Sequence, residues 1–292
     1  MRTRLLTLLM TLFAVTADAY YDAGARFTAG PADYSGFNVF AESGNDDYYL
    51  RPALNTYKSG AADRYSTYSL GAGLDRPAWR VSADVSVTPE TGGYKNSGFA
   101  ADLGLSLLGE PDEEAALQDI SLSVFAGLTA HEDTYSLSTT TVLGGNGGGG
   151  GGGTSVSVLT SALKLNQTDY GLSASVKAYG LRASGRFTKT SYDTDMTAES
   201  RQLPVDIGSI GTSGFPDTAI SARLRCPGLP LSPEAGYSKT TYLLDQPDSE
   251  TVNFGISANA GPVEISAGWE NYAPGGGAAR SDYYTLGLTF SF

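Results

Sequence analysis

The chain contains one histidine, His131, and two acids follow it directly, Glu132 and Asp133. A histidine beside carboxylates could act as a general base. No serine motif accompanies it, and the single cysteine, Cys226, has no second cysteine with which to form a disulfide. The surroundings of His131 therefore favour an ordinary histidine, placed either in a loop or in an interior space such as a lumen. We expect neither enzymatic activity nor a cofactor.

Acidic clusters and a glycine run offer two further kinds of site. Carboxylates suit calcium, but the clusters lack the spacing of a calcium-binding loop, and the glycines of 144–153 lack the Lys-Ser/Thr pair of a phosphate-binding loop. We interpret the acids as solvated loop charge and the glycine run as a flexible connection between strands. No metal site is predicted. The acidic clusters are 46–47, 112–114 and Asp245 with Asp248 and Glu250.

A different set of charges lies within segments whose apolar and polar residues alternate. On a strand, every second side chain lies on the same face, and these charges share the polar face. The basic residues fall on consecutive segments in the middle of the chain, and the acidic ones fall nearer its ends. The basic set is Lys177, Arg182, Arg186, Arg223 and Arg225; the acidic set is Asp84, Asp102, Glu264 and Glu270.

The alternation itself recurs along most of the chain after residue 19. Segments of about ten residues have one apolar row and one row of small or polar residues, a length that crosses a bilayer when the strand is tilted. Turn residues separate the segments, and no amphipathic helix competes with them. The chain is therefore predicted to be all-β. The clearest segments are 79–88, 98–107, 120–131, 170–178, 251–260, 263–270 and 283–292.

The first nineteen residues have the pattern of a secretory signal peptide. Arg2 and Arg4 precede an apolar run at 5–15, and Ala17-Asp18-Ala19 fits a cleavage site. No later run of about 18 apolar residues could form a transmembrane helix. We predict a signal peptide at 1–19 and one domain at 20–292. With 31 acids against 19 bases and no basic stripe, we expect no nucleic-acid partner.

Two all-β folds could use these strands. A secreted sandwich buries its apolar rows between two sheets, whereas a transmembrane barrel turns them to lipid and its polar rows to a wet interior. The glycine- and serine-rich polar rows favour the barrel, as do aromatic residues near segment ends, where interfacial girdles lie. These are Trp79, Tyr170, Tyr179, Trp269 and Tyr284.

The last ten residues carry a more specific signal. An apolar or aromatic residue occupies every second position up to the terminal phenylalanine: Tyr284, Leu286, Leu288, Phe290 and Phe292. This ending resembles that of bacterial outer-membrane β-barrels of the porin-like class, although it names no subfamily. The resemblance implies recognition of these five residues by the outer-membrane assembly machinery, location in the bacterial outer membrane and contact with its lipid.

The number of strands follows from the segments. Twelve occur between Tyr65 and Phe292, and two more are plausible, one within 20–42 and one near 134–142. Because bacterial barrels have an even number of strands, we predict an antiparallel transmembrane barrel of fourteen strands, with twelve as the alternative. Segment 155–165 changes phase within itself, which a β-bulge could explain.

A barrel with charges inside suggests a function. If the basic and acidic sets occupy opposite walls, they create a transverse field that orients dipolar solutes and excludes apolar ones. We expect a passive, porin-like channel for small hydrophilic solutes. The alternative is a structural or adhesive barrel with acidic surface loops, in which paired side chains close the lumen.

Overall fold

A computed structural model describes residues 20–60, 63–108, 116–142, 154–193, 203–207, 210–227 and 229–292. The side chains of 135–142, 154–163 and 203–213 are not among those described. The predicted signal peptide, the acidic cluster at 112–114 and the glycine run at 144–153 lie outside the described residues.

Fourteen strands form a closed barrel and two more form a separate hairpin. The barrel strands are β1 (Tyr20–Ala29), β2 (Ser35–Gly44), β3 (Tyr48–Lys58), β4 (Tyr65–Arg76), β5 (Trp79–Thr91), β6 (Tyr94–Ser106), β7 (Leu117–Val142), β8 (Thr154–Ala178), β9 (Leu181–Tyr192), β12 (Pro216–Arg225), β13 (Leu231–Tyr242), β14 (Ser249–Ala260), β15 (Val263–Ala273) and β16 (Ser281–Ser291). The hairpin is β10 (Leu203–Ile207) and β11 (Ile210–Gly214). Among the residues described, no helix is long and apolar enough to cross a bilayer.

Every barrel strand pairs antiparallel with its neighbours, and β9 pairs directly with β12 because the hairpin is a separate sheet. The first and last strands close the ring. At this seam the amide of Phe292 donates to the carbonyl of Tyr21 at 2.9 Å, and the amide of Tyr21 donates back at 3.2 Å. The prediction of a closed antiparallel barrel of fourteen strands is confirmed.

The two faces of the barrel match the two rows of the sequence. On β16, Leu286 is 64% exposed and points outward, whereas its neighbour in the other row, Tyr283, is 9% exposed and points inward. Apolar side chains on the outside of a closed sheet have no protein partner and are compatible with lipid. The architecture is a closed antiparallel β-barrel with an apolar outer face.

The predicted number of strands is right, but two of the regions from which it was counted were divided wrongly. Residues 20–44 form two strands, where one was predicted within 20–42, because the turn at 30–34 divides them, and a third strand, β3, follows the turn at 45–47. Residues 134–142 continue β7, and segment 155–165 is the first part of β8, which runs unbroken to Ala178. The pairing of β7 with β8 shows no register shift between Asp119 and Val142, so no bulge interrupts segment 155–165.

Both described chain ends, Tyr20 and Phe292, lie at one rim, which we call the terminus end; the opposite rim is the far end. Short turns such as Pro77–Ala78 and Gly261–Pro262 lie at the terminus end. Longer connections, including the one that contains β10 and β11, lie at the far end. In the outer-membrane class the short turns are periplasmic and the long loops extracellular.

The assignment of faces predicts the outcome of a pair of substitutions on β16. Leu288→Arg places a charge at the lipid face, which costs about 2–4 kcal/mol near the bilayer midplane. Thr289→Arg places the same charge in the lumen and should leave the barrel folded. The yield of heat-modifiable, folded protein measures both. Equal losses in the two variants would contradict the assignment.

Candidate functional site: the barrel lumen

Glycines shape the inner wall of the barrel. At several positions a large or charged inward side chain lies across a glycine that is its direct partner on the next strand, so that even a methyl group on the glycine would overlap with it. The large side chain thereby lies along the wall and leaves the centre of the lumen free. The pairs are Phe40 over Gly24, Tyr49 over Gly73, Arg80 over Gly104, Phe125 over Gly171, Asp84 over Gly71, Asn253 over Gly236 and Glu234 over Gly255.

In two of these pairs an arginine side chain also contacts the aromatic ring. The guanidinium of Arg51 lies 4.2 Å from the centre of the Phe40 ring, so this ring is held between a glycine and a cation. Arg186 lies 3.5 Å from the centre of the Phe125 ring. Such cation–π contacts contribute about 0.5–1 kcal/mol at exposed sites and more when desolvated. They fix the direction in which each guanidinium enters the lumen.

The far end of the lumen is occupied by aromatic side chains, which we call the aromatic layer. They form two buried clusters, and stacking of Tyr57 on Tyr65, with ring centres 5.5 Å apart, connects the clusters. Phe215 has no exposed surface, and its amide donates to Oε1 of Gln246 at 3.1 Å. The layer comprises Tyr34, Tyr57, Tyr65, Tyr94, Tyr192, Phe215, Tyr242, Tyr272 and Tyr283, with Leu165, Leu243 and Leu244.

His131 belongs to the edge of this layer. It is 5% exposed, and its Nδ1 lies 2.8 Å from the hydroxyl of Tyr94, which also accepts a hydrogen bond from Asn96 at 2.8 Å. The side chain is thus packed inside the lumen, with Nδ1 at hydrogen-bond distance from Tyr94 and Nε2 buried.

The terminus half of the lumen contains a cavity of about 1060 Å³. Asp46, Asp47 and Pro77 line it, so the cavity reaches the turns at the terminus end. Serines from five strands line much of the rest, namely Ser121, Ser123, Ser173, Ser175, Ser184, Ser221 and Ser238. A second cavity of about 570 Å³ lies beside β4–β9, lined by Asp84, Asp102 and Asp169 among others. A polar cavity of this size is suited to hydrated solutes.

The structure brings the predicted basic set together. Lys177 on β8, Arg182 and Arg186 on β9, and Arg223 and Arg225 on β12 lie on three adjacent strands. All four arginines line the larger cavity, and Arg182, Arg186 and Arg223 are exposed. Among the described residues, none of these three makes an ion pair within 4.0 Å.

The predicted acidic set is not brought together. Asp84 and Asp102 lie on β5 and β6, whereas Glu264 and Glu270 lie on β15, and the strands β16 and β1 to β4 separate the two groups. Glu264 forms an ion pair with Arg225 at 3.6 Å, and Asp102 lies 4.0 Å from Arg80. Glu270 is 8% exposed. The lumen therefore has a continuous basic surface, while its acids are dispersed and partly paired.

The remaining predicted residues face outward. Tyr284, Leu286, Leu288, Phe290 and Phe292 are all exposed, as are the candidate girdle residues Trp79, Tyr170 and Tyr179. What the sequence analysis missed is the aromatic layer. Its signal was present, because tyrosines such as Tyr283 stand in the polar rows at the ends of strands.

The space above the glycine differs between two inward positions, so the same glycine-to-alanine change should affect stability differently at each. Gly24→Ala should displace the Phe40 ring, which Arg51 covers on its other side, and overpacking of this kind costs about 1–3 kcal/mol. Gly268→Ala, also in the inward row, meets its nearest atoms at 3.7 and 3.8 Å and should be neutral or stabilising. The temperature at which the folded band disappears on unboiled gels measures both. Equal shifts would contradict the proposed role of the glycines.

The sequence matches no protein-family model and no curated protein. Solved structures similar to the chain include the KdgM porin, 8% identical with a TM-score of 0.42, covering 93% of this chain and 99% of the porin. OmpT of Vibrio cholerae is 10% identical with a TM-score of 0.42, covering 96% and 100%. OccK3 of Pseudomonas aeruginosa is 12% identical with a TM-score of 0.42, covering 96% and 97%.

Proposed function

We propose that this protein is an outer-membrane channel through which small hydrophilic solutes pass passively. The observation that carries the proposal is the polar cavity of about 1060 Å³ inside a closed barrel of fourteen strands. Barrels of about eight strands are filled by side chains, whereas those of 16–18 strands leave an aqueous channel. Fourteen strands lie nearer the second case, and the glycine-paired wall keeps large side chains away from the centre.

The proposal includes insertion into outer-membrane lipid by the assembly machinery of that membrane. The exposed apolar outer face and the outward row from Tyr284 to Phe292 support it. Solute size would be limited at the far end, because the aromatic layer occupies the lumen there. The charge preference would be set in the terminus half, where the arginines are exposed.

The channel should select anions over cations. Three exposed arginines without ion pairs attract anions into a cavity whose five lining acids, Asp46, Asp47, Asp75, Asp119 and Glu270, stand on other strands or turns. The acids nearest to Arg182 in its row, Asp119 and Glu234, are each two strand spacings away, about 10 Å. Since this exceeds a Debye length of about 8 Å, these acids do not cancel the arginine.

Planar-bilayer recordings in a salt gradient test the proposal. The parent should conduct, and the Arg182→Gln, Arg186→Gln, Arg223→Gln variant should shift the reversal potential toward cations because the exposed positive charge is removed. A matched control removes three cations from the far rim: Lys95→Gln, Lys164→Gln, Arg280→Gln. A silent parent would refute the channel. A conducting parent whose reversal potential responds equally to both variants would refute selection by the lumen arginines.

The aromatic layer favours a second function, a structural or adhesive barrel with a closed lumen. Its rings contact one another edge-to-face, as Tyr34 and Tyr283 do at 5.1 Å, and stacked, as Tyr57 and Tyr65 do. Each such pair contributes about 0.5–1.5 kcal/mol beyond its burial. The layer thus stabilises the far end, and its permeability decides between the two functions.

Removal of the stacked pair distinguishes a narrow channel from a closed barrel. The Tyr57→Ala, Tyr65→Ala variant removes the contact between the two clusters, and in a narrow channel it should raise the single-channel conductance several-fold. Tyr68→Ala is the control, because Tyr68 lies on the same strand as Tyr65 but is exposed on the outer face. If only the double variant conducts, the native barrel is closed. An unchanged conductance would place the constriction elsewhere.

A further inference from the structure

The basic surface contains an arrangement that pairing within the protein does not explain. Strand register places Lys177 directly opposite Arg182, and Arg182 directly opposite Arg225. Three cations therefore stand side by side on three adjacent strands. Like charges directly opposite each other on a sheet are destabilising. Acids occupy only the ends of this row, Asp119 beside Lys177 and Glu234 beside Arg225.

Arg182 is the centre of this row. It has a cation on each side, it is exposed, and it lines the larger cavity. Arg225 has other partners, since it donates to Oγ of Ser257 at 3.3 Å and lies 3.6 Å from Glu264. The repulsion is therefore least compensated at Arg182.

Two more arginines continue the surface toward the far end. Arg223 is opposite Ser184, two residues along β9 from Arg182, and Arg186 is opposite Ser221, two residues further. With a rise of about 3.3 Å per residue, successive arginine positions are about 6.7 Å apart along the strands. Ser184 and Ser221 stand between them, and Ser173 and Ser175 flank them on β8, where their hydroxyls pair with Ser123 and Ser121 at 2.8 Å. These short neutral neighbours leave the guanidinium groups of Arg182 and Arg223 accessible from the lumen, while Arg186 lies against the Phe125 ring.

We propose that this surface is a binding site for linear dicarboxylates in the terminus half of the lumen. One carboxylate binds at Arg182, where it neutralises the crowded row, and the other binds at Arg223, the next arginine position along the surface. Guanidinium groups bind carboxylates through two parallel hydrogen bonds. A dianion can bind at two arginine positions at once, whereas a monoanion binds at only one. The inference deepens the proposed channel function and rests on it for its physiological meaning, since bound dicarboxylates would be the preferred solutes.

Binding can be measured without conduction, by calorimetric titration of the folded barrel in detergent micelles. The probe is adipate, a six-carbon dicarboxylate long enough to reach from one arginine position to the next. We expect adipate to bind at least tenfold more tightly than acetate at equal ionic strength. Adipamide, which has the same shape without charge, should not bind. Rising salt should weaken the binding of adipate.

Arg182→Gln is the decisive variant, with Lys164→Gln as its control because Lys164 lies at the far rim and pairs with Glu132 at 3.0 Å. We expect Arg182→Gln to lower the affinity for adipate at least tenfold and to raise the unfolding temperature of the unliganded barrel. The second result follows because the substitution removes like-charge repulsion; an arginine with a structural ion pair would give the opposite shift.

Three results would overturn the site: no binding of adipate, equal affinities for adipate and acetate, or an affinity that Arg182→Gln leaves unchanged. These results are independent of the channel proposal. A parent that conducts but does not bind adipate retains the channel and loses the site. A parent that binds adipate but does not conduct retains the site and loses the channel.

Discussion

The interior of this barrel depends on the contact between an inward glycine and the large side chain directly opposite it. A glycine beneath Phe40, Tyr49 or Phe125 lets the ring lie along the wall, and a methyl group in its place would push the ring toward the centre. Glycine weakens a strand because it loses more conformational freedom on folding. The aromatic cover offsets part of that loss, as in the rescue of strand glycines by cross-strand aromatic residues. Wall thickness, and so lumen width, is set by these pairs.

The two halves of the lumen use side-chain size differently. In the terminus half, serines stand beside Arg182, Arg186 and Arg223, so the guanidinium groups remain exposed to the cavity. In the far half, inward tyrosines from nearby strands contact one another and bury their rings. The same barrel wall therefore produces a wet, charged chamber and a packed aromatic layer in series. Solute charge would be selected in the first and solute size in the second.

The sequence predicted the wall better than the contents of the lumen. Period-two alternation determines which side chains face lipid, so the outward row of β16 and the inward basic set could be placed from the chain alone. Alternation does not show whether a polar interruption is a turn, and β7 and β8 were divided wrongly because the polar residues at 132–134 and 166–169 lie within strands. Contacts across the lumen have no signature in sequence spacing. The pairing of Arg225 with Glu264 and the aromatic layer both join distant strands, and both needed the closed barrel to become visible.

The row of Lys177, Arg182 and Arg225 shows how stability and function separate in such a fold. A closed barrel satisfies the backbone hydrogen bonds of its strands and buries its outer face in lipid, so the fold does not depend on the lumen charges. Selection for stability alone would place an acid or a neutral residue at Arg182, since its neighbours on both sides are cations. A residue that opposes stability in an otherwise consistent structure points to a functional site. An anion bound beside Arg182 would relieve the repulsion in this row, so the same charges that oppose stability favour the proposed binding.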